Sequence, residues 1–172
     1  MRVSNKFILI GIAVILAFVA IYQYLKTSTP LEIEIKNTNG FVVQGNYFEG
    51  DWKDDQIKKN HLLADSIAKQ KGLISTAIYY NDPNEDDGFI KAFIGVNAPK
   101  DELNPVFEEI RIIEKGSFLS GKISNDYFSI PQRIYLEMED FAKDKSIEIG
   151  EFSIEQYFSD TLMYVYIPIV SK

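Results

Sequence analysis

"YYNDPNEDDGFIKAFIGV", Tyr79–Val96, sets an acidic, proline-bearing tip between two apolar runs. Whether that tip is a metal loop or a turn decides how the chain is read. Asp82, Asn84 and Asp86 alternate as the first ligands of a calcium loop do. Such a loop also needs Gly at its sixth place and Glu at its twelfth, where this chain has Asp87 and Phe93. Pro83 and Gly88 supply turn chemistry instead. The stretch therefore reads as a hairpin, and function is to be sought on the strands that it joins.

Working outward, the pattern alternates between periods of two and of 3.6 residues. "LEIEIK" (31–36) and "FVVQGNYFEG" (41–50) read as strands around an "NTNG" turn. From Lys53 to Lys71, Ile57, Ala64, Ile67 and Ala68 share one side of a helix, and Gly72 stops it. "LISTAIYY" and "GFIKAFIGV" follow as the hairpin strands. The second half repeats the order: "FEEIRIIEKG", "SFLSGKIS", a helix through "SIPQRIYLEMEDFAKDK", then strands through "SIEIGEFSIEQYF" and "TLMYVYIPIV". Strand–helix–strand–strand thus occurs twice, each time with a leading strand. The expected class is α+β, a pseudo-symmetric antiparallel sheet with two helices on one face.

Ahead of this domain (31–172) lie a basic flank (1–6), an uncharged apolar run, Phe7–Leu25, and a polar neck (26–30). The run is long enough for a bilayer-spanning helix. A cleaved signal is disfavoured by Phe18 two residues before Ala20, where a small residue is required. Arg2 and Lys6 before the span point to a cytoplasmic amino terminus and a domain outside the cytoplasm, on a single-pass membrane protein. The 172 residues carry a net charge of −7, which becomes −9 once Arg2 and Lys6 are set aside with the span. Such acidity opposes binding to nucleic acid. The absence of cysteine excludes disulfides, thiolate metal sites and thiol nucleophiles. His61, the single histidine, has no second His or Cys to build zinc coordination and reads as a boundary residue of its helix. No metal or cofactor is expected.

The strands are rich in rings. Tyr164 and Tyr166 share a face of the last strand, and Glu155 and Tyr157 share a face of the strand before it. A carboxylate among Tyr47, Trp52, Tyr79, Phe93 and these tyrosines would suit an organic cation. The plainer alternative is that the rings fill the core and Glu155 sits at its edge.

In "AIYYNDP", "NYFEGDW", "SIEQY" and "YVYIPI", in that order, the chain from about Leu31 to Ile169 resembles the GyrI-like domain, a small-molecule-binding fold also used as the effector-binding half of AraC- and MerR-type regulators. Two positions depart from the family pattern. Gly50-Asp51-Trp52 stands where Gly-Pro-Tyr is common, and Tyr164 stands where a Glu often lies four residues before the proline. The resemblance implies a groove holding an apolar or cationic ligand, with Glu155 as its polar anchor. Binding is expected rather than catalysis. If the domain is an enzyme, the resemblance implies a hydrolase of strained cyclopropanoid compounds using Glu155. A third reading is a membrane-anchored module for a protein partner, with a vestigial pocket. No helix-turn-helix segment precedes the domain.

Overall fold

Asp54 and Gly72 mark the ends of the first helix for opposite reasons. The Asp54 carboxylate accepts the Gln56 N–H at 2.8 Å, satisfying a donor that the first turn leaves free. Gly72 takes the left-handed conformation (φ 67°) in which its N–H reaches the Ala68 carbonyl. Between them runs α1 (Asp55–Lys71), and the second helix, α2, spans Pro131–Lys145. The strands are β1 (Leu31–Thr38), β2 (Phe41–Asp51), β3 (Ile74–Tyr79), β4 (Phe89–Asn97), β5 (Glu109–Ile113), β6 (Gly116–Ser124), β7 (Ser153–Ser159) and β8 (Leu162–Pro168). This computed structural model describes residues 16–17, 31–81, 88–99, 104–124, 131–159 and 161–170.

All eight strands join one antiparallel sheet in the order β1-β6-β8-β7-β3-β4-β2-β5. Exchanging the halves (β1 with β5, β2 with β6, β3 with β7, β4 with β8) reverses the order without changing it. The duplication is therefore a pseudo-twofold passing between β7 and β3. Each leading strand has crossed over, so that β1 pairs with β6 of the second half and β5 with β2 of the first.

The short links decide the shape. β1 and β2 stand first and seventh in the sheet, yet only Asn39 and Gly40 join them; β5 and β6 stand eighth and second, joined by Glu114 and Lys115. Six strand spacings in a flat sheet cover about 29 Å, whereas so short a link reaches about 11 Å. The sheet must curl until its ends meet. The two links do lie against each other, since a Cβ on Gly40 (φ 77°) would come within 2.7 Å of the Ile113 carbonyl oxygen.

Curling gives the sheet an inside and an outside. Inside, Val43, Ile78, Phe93, Ile113, Phe118, Ile154 and Tyr166 form one cluster contributed by seven strands. Outside, each helix covers its own half: α1 with Ala77, Ala92, Ile94 and Val96, and α2 with Leu119, Ile123, Val165 and Ile167. Ala77, Glu155, Val165 and Gly121 lie in one row across β3, β7, β8 and β6, so both helices are on the same face. Gly121 is the seat of α2, with Met138 Sδ only 2.7 Å from where a Cβ would be.

Element order, both helices and the α+β class agree with the sequence reading. The strand expected from Ser146 starts only at Ser153. Ser146 adopts φ 54° as α2 closes, and the chain then follows the end of β8 through one bridge, Ile149 to Ile169. The chain divides into two compact units, Met1–Pro30 and Leu31–Lys172. The expected span Phe7–Leu25 lies outside the described residues apart from Leu16 and Ala17, which are helical and exposed. Among the described residues no helix is long and apolar enough to cross a membrane.

Gly45 and Gly95 face each other across β2 and β4, and a Cβ on Gly95 would lie 1.8 Å from the Gln44 carbonyl oxygen. Gly95→Ala should lower the free energy of urea unfolding by about 3 kcal/mol or more. Gly72→Ala, strained by its φ alone because nothing lies within 4 Å, should cost only about 1 kcal/mol.

Candidate functional site

Register separates the side chains that the sequence reading grouped. Across β7 and β8 the partners are Ile154 with Tyr166, Glu155 with Val165 and Gln156 with Tyr164. Alternation then sends Tyr164 and Tyr166 inside the curl while Glu155 and Tyr157 point outward under the helices. Phe93 and its partner Tyr47 are inside, and Tyr79 is outside. Trp52, just beyond β2, is 52% exposed. Its backbone N–H donates to the Gly88 carbonyl at 2.9 Å, and its ring packs where a Gly88 side chain would be. The structure therefore holds two constellations in place of one groove anchored by Glu155.

The inner one is built of rings. Tyr47, Tyr80 and Phe152 follow one another with centroids 6.4 Å apart. Phe158, Tyr164, Tyr166 and Phe118 form a second series at 5.2, 6.1 and 6.4 Å, with Tyr164 and Tyr166 nearly parallel at 12°. Cations cover ring faces here. Lys36 Nζ lies 5.2 Å from the Tyr164 centroid and 6.0 Å from that of Tyr166. The Arg111 guanidinium lies 4.8 Å from the centre of buried Phe93, reaching it over the bare backbone of Gly45 and Gly95. Arg111 is held by Glu109 at 2.6 Å and by Tyr80, and Lys122 pairs with Glu32 at 3.1 Å. Burial, assisted by Tyr164 and Glu34, pushes the Tyr166 hydroxyl up to about 12. Lys36 and Arg111 escaped the sequence reading. The alternation of "LEIEIK" puts Lys36 in phase with Glu32 and Glu34, but pairing of β1 with β6 is a long-range fact.

The outer constellation surrounds Glu155, which is only 6% exposed. Tyr135 of α2 donates to Glu155 Oε1 at 2.7 Å and also meets Ser153 Oγ at 3.2 Å. Tyr157 donates to Glu155 Oε2. Tyr157 bonds to Tyr79 in turn, whose hydroxyl lies 3.2 Å from His61 Nε2 on α1. One polar chain thus runs from helix to helix through the centre of the sheet. Burial raises the Glu155 carboxyl although the two hydroxyls oppose it. Burial, then the Glu155 charge, raises Tyr79, Tyr135 and Tyr157, and burial lowers His61. Tyr135 shares a helical stripe with Met138 and Ala142, a signal present in the sequence. Beside this chain a cleft of about 760 Å³ opens between the C-terminal half of α1 and strands β3, β7 and β8, bounded by Ala68, Leu73, Ser75, Glu155, Tyr157 and Met163 among others.

No family model matches the chain, and no curated protein matches it in sequence. Among solved structures, an integron cassette protein from the mobile metagenome of Vibrio cholerae is similar over 83% of this chain and 99% of its own, at 16% identity and TM-score 0.61. The C-terminal domain of EcmrR is similar over 83% and 99%, at 14% identity and TM-score 0.59. SAV2435, solved with tetraphenylphosphonium bound, is similar over 81% and 94%, at 8% identity and TM-score 0.50. The chain has the GyrI-like fold.

Glu155 and His61 tie stability to pH with opposite signs. Glu155, raised in the native state from 4.5, favours folding below pH 4.5; that contribution is lost as pH rises through its native pKa. His61, lowered from 6.5, favours folding above pH 6.5, and this is lost as pH falls through its native pKa. In urea titrations the stability of wild type relative to Glu155→Gln should therefore decline as pH rises from 4.5 and then level off. A difference independent of pH would mean that Glu155 ionises alike in both states.

Proposed function

We propose that the domain binds a planar aromatic small molecule, neutral or anionic, on the inner face of its curled sheet. The observation that carries this reading is the pair of ring series flanking Phe93, with Tyr47, Tyr80 and Phe158 left exposed. Exposed aromatic area of this kind serves a ligand rather than a core. The ring faces themselves carry Lys36 and Arg111, with Glu32, Glu34 and Glu109 on the same side of the sheet. Tyr164 stands where the resemblance leads one to look for a carboxylate, and Lys36 rests upon it. A ligand ring would take the place of the lysine stem, while the ammonium turns to an acidic substituent. The tetraphenylphosphonium complex of SAV2435 supports small-molecule binding by this fold, and the cations at Lys36 and Arg111 argue for a different ligand charge here.

The apolar run Phe7–Leu25 supports tethering of this domain to a bilayer, where amphipathic aromatic compounds concentrate. Arg2 and Lys6 support its placement outside the cytoplasm. Because the chain has no cysteine, Lys58→Cys on the exposed side of α1 would introduce the sole thiol. It should react with a membrane-impermeant maleimide in intact cells; labelling only after lysis would place the domain inside.

Calorimetric titration of the full chain with naphthalene-2-sulfonate should show saturable 1:1 binding. Tyr164→Ala and Lys36→Met should each weaken it about tenfold, in line with the roughly 1–2 kcal/mol expected of a ring contact or a charge-assisted one. Tighter binding of tetraphenylphosphonium, indifferent to Tyr164→Ala, would overturn the proposed ligand charge and site together.

A further inference from the structure

The curled sheet keeps two free edges, β1 and β5, which stand first and eighth in its order. A free edge presents a row of N–H and C=O groups that only water or another strand can pair. The pseudo-twofold makes these edges equivalent in place but not in chemistry. Counting back from the two short links, which follow Thr38 and Ile113, Glu34-Ile35-Lys36 corresponds to Glu109-Ile110-Arg111. On β5 the charges satisfy each other, with Arg111 2.6 Å from Glu109. On β1 they do not. Lys36 Nζ rests over Tyr164, and among the described residues neither Glu34 nor Lys36 forms an ion pair. Glu34, Ile35, Lys36 and Asn37 are exposed in succession, so neither face of the strand is covered there. Ile35, on the outer face beside Leu119, is 54% exposed.

Charges on an edge ordinarily repel a second edge, but the order of these charges is self-complementary. Two copies of β1 can lie antiparallel about a twofold axis, and because side chains alternate between faces the axis must pass through a residue position. With the axis at Ile33, Glu32 meets Glu34 of the second copy, twice. At Glu34 or at Lys36, that residue meets its own charge. At Ile35, Glu34 meets Lys36 twice, Ile35 meets Ile35, Ile33 meets Asn37 and Glu32 meets Thr38. Opposite charges across a ladder are favourable and like charges are not, so this register is preferred over its neighbours. We infer that β1 is an interaction surface for a second copy of this chain, the two joining edge to edge through antiparallel β1 strands centred on Ile35. The two cross-strand pairs supply the ion pairs that Glu34 and Lys36 lack, and the exposed Ile35 side chains cover each other. One strand pair is a small contact, so the dimer is reversible. It also brings a carboxylate of the second copy to the ammonium that rests on Tyr164, so each inner face gains a group from its neighbour.

The chain has no cysteine, so Ile35→Cys gives each copy a single thiol. Residues opposed in an antiparallel ladder have Cα atoms about 4.5–5.5 Å apart, within the range that a disulfide spans. Mild oxidation of the full-length variant should therefore yield a covalent dimer on a non-reducing gel. Ile33→Cys and Asn37→Cys should each yield about tenfold less, whereas the two substitutions together should link, since these positions face each other in the register centred on Ile35. Adding Lys36→Glu to Ile35→Cys sets two carboxylates against each other and should reduce the link about tenfold. Adding Glu34→Lys as well should restore it. No link from Ile35→Cys overturns the inference. So does a link that forms equally from all three single variants, or one that Lys36→Glu leaves undiminished, because either reports random collision. A link strongest from Ile33→Cys puts the axis elsewhere and overturns it too. No ligand enters this experiment, so the edge pairing and the inner-face site can each fail without the other.

Discussion

Two links of two residues each govern this molecule. By joining strands that a flat sheet would hold far apart, Asn39-Gly40 and Glu114-Lys115 force the eight strands to curl. Every later property follows from the resulting inside and outside. The inner face must close on itself, so seven strands contribute to one cluster there. The outer face is convex, and each of the two helices covers one half of it. Gly45 and Gly95 show the tightness of the curvature, since β2 and β4 approach too closely to admit a side chain at either position.

Much of this was legible in the sequence. Local signals were strong wherever chemistry acted within a few residues: Asp54 and Gly72 bounded α1, alternation gave the strands, and the repeated element order gave the duplication. The site was legible only by halves. The period of two correctly paired Glu155 with Tyr157 and Tyr164 with Tyr166, but nothing local says which pair faces inward. That depends on the register of β7 against β8, where Glu155 meets Val165 and not Tyr164. A one-residue offset exchanges the faces, so a grouping made by residue type joined side chains that lie on opposite sides of a sheet. Arg111 was illegible for a related reason. Its place over Phe93 requires β5 to lie beside β2, and a pair of glycines to keep the floor bare.

The inner face also shows how charge can be redirected without altering a fold. Aromatic faces attract cations wherever they come from. A cleft that presents rings together with a carboxylate recruits a cation from solution. Here the same rings have cations of the chain resting on them, Lys36 on Tyr164 and Arg111 on Phe93. Arg111 is fixed from several sides by Glu109, Tyr80 and Phe93 and contributes to packing. Lys36 lies on exposed edge strand β1, over the ring faces of Tyr164 and Tyr166. A flexible ammonium in that position can yield its place to a ring and keep its charge for the ring's substituent.

The outer constellation sits where the pseudo-twofold passes, and there the two halves must differ. Directly across the centre Glu155 faces Ala77. A second carboxylate at that position would set like charges a few ångströms apart under two helices, and one of them would have to stay protonated. Alanine removes the conflict and leaves room, so the single carboxylate gathers hydroxyls from both halves: Tyr135 from α2 and, through Tyr157 and Tyr79, the His61 edge of α1. Duplication supplied two equivalent halves with a seam between them. The seam became polar on one side only, since Glu155 on β7 has Ala77 as its opposite on β3.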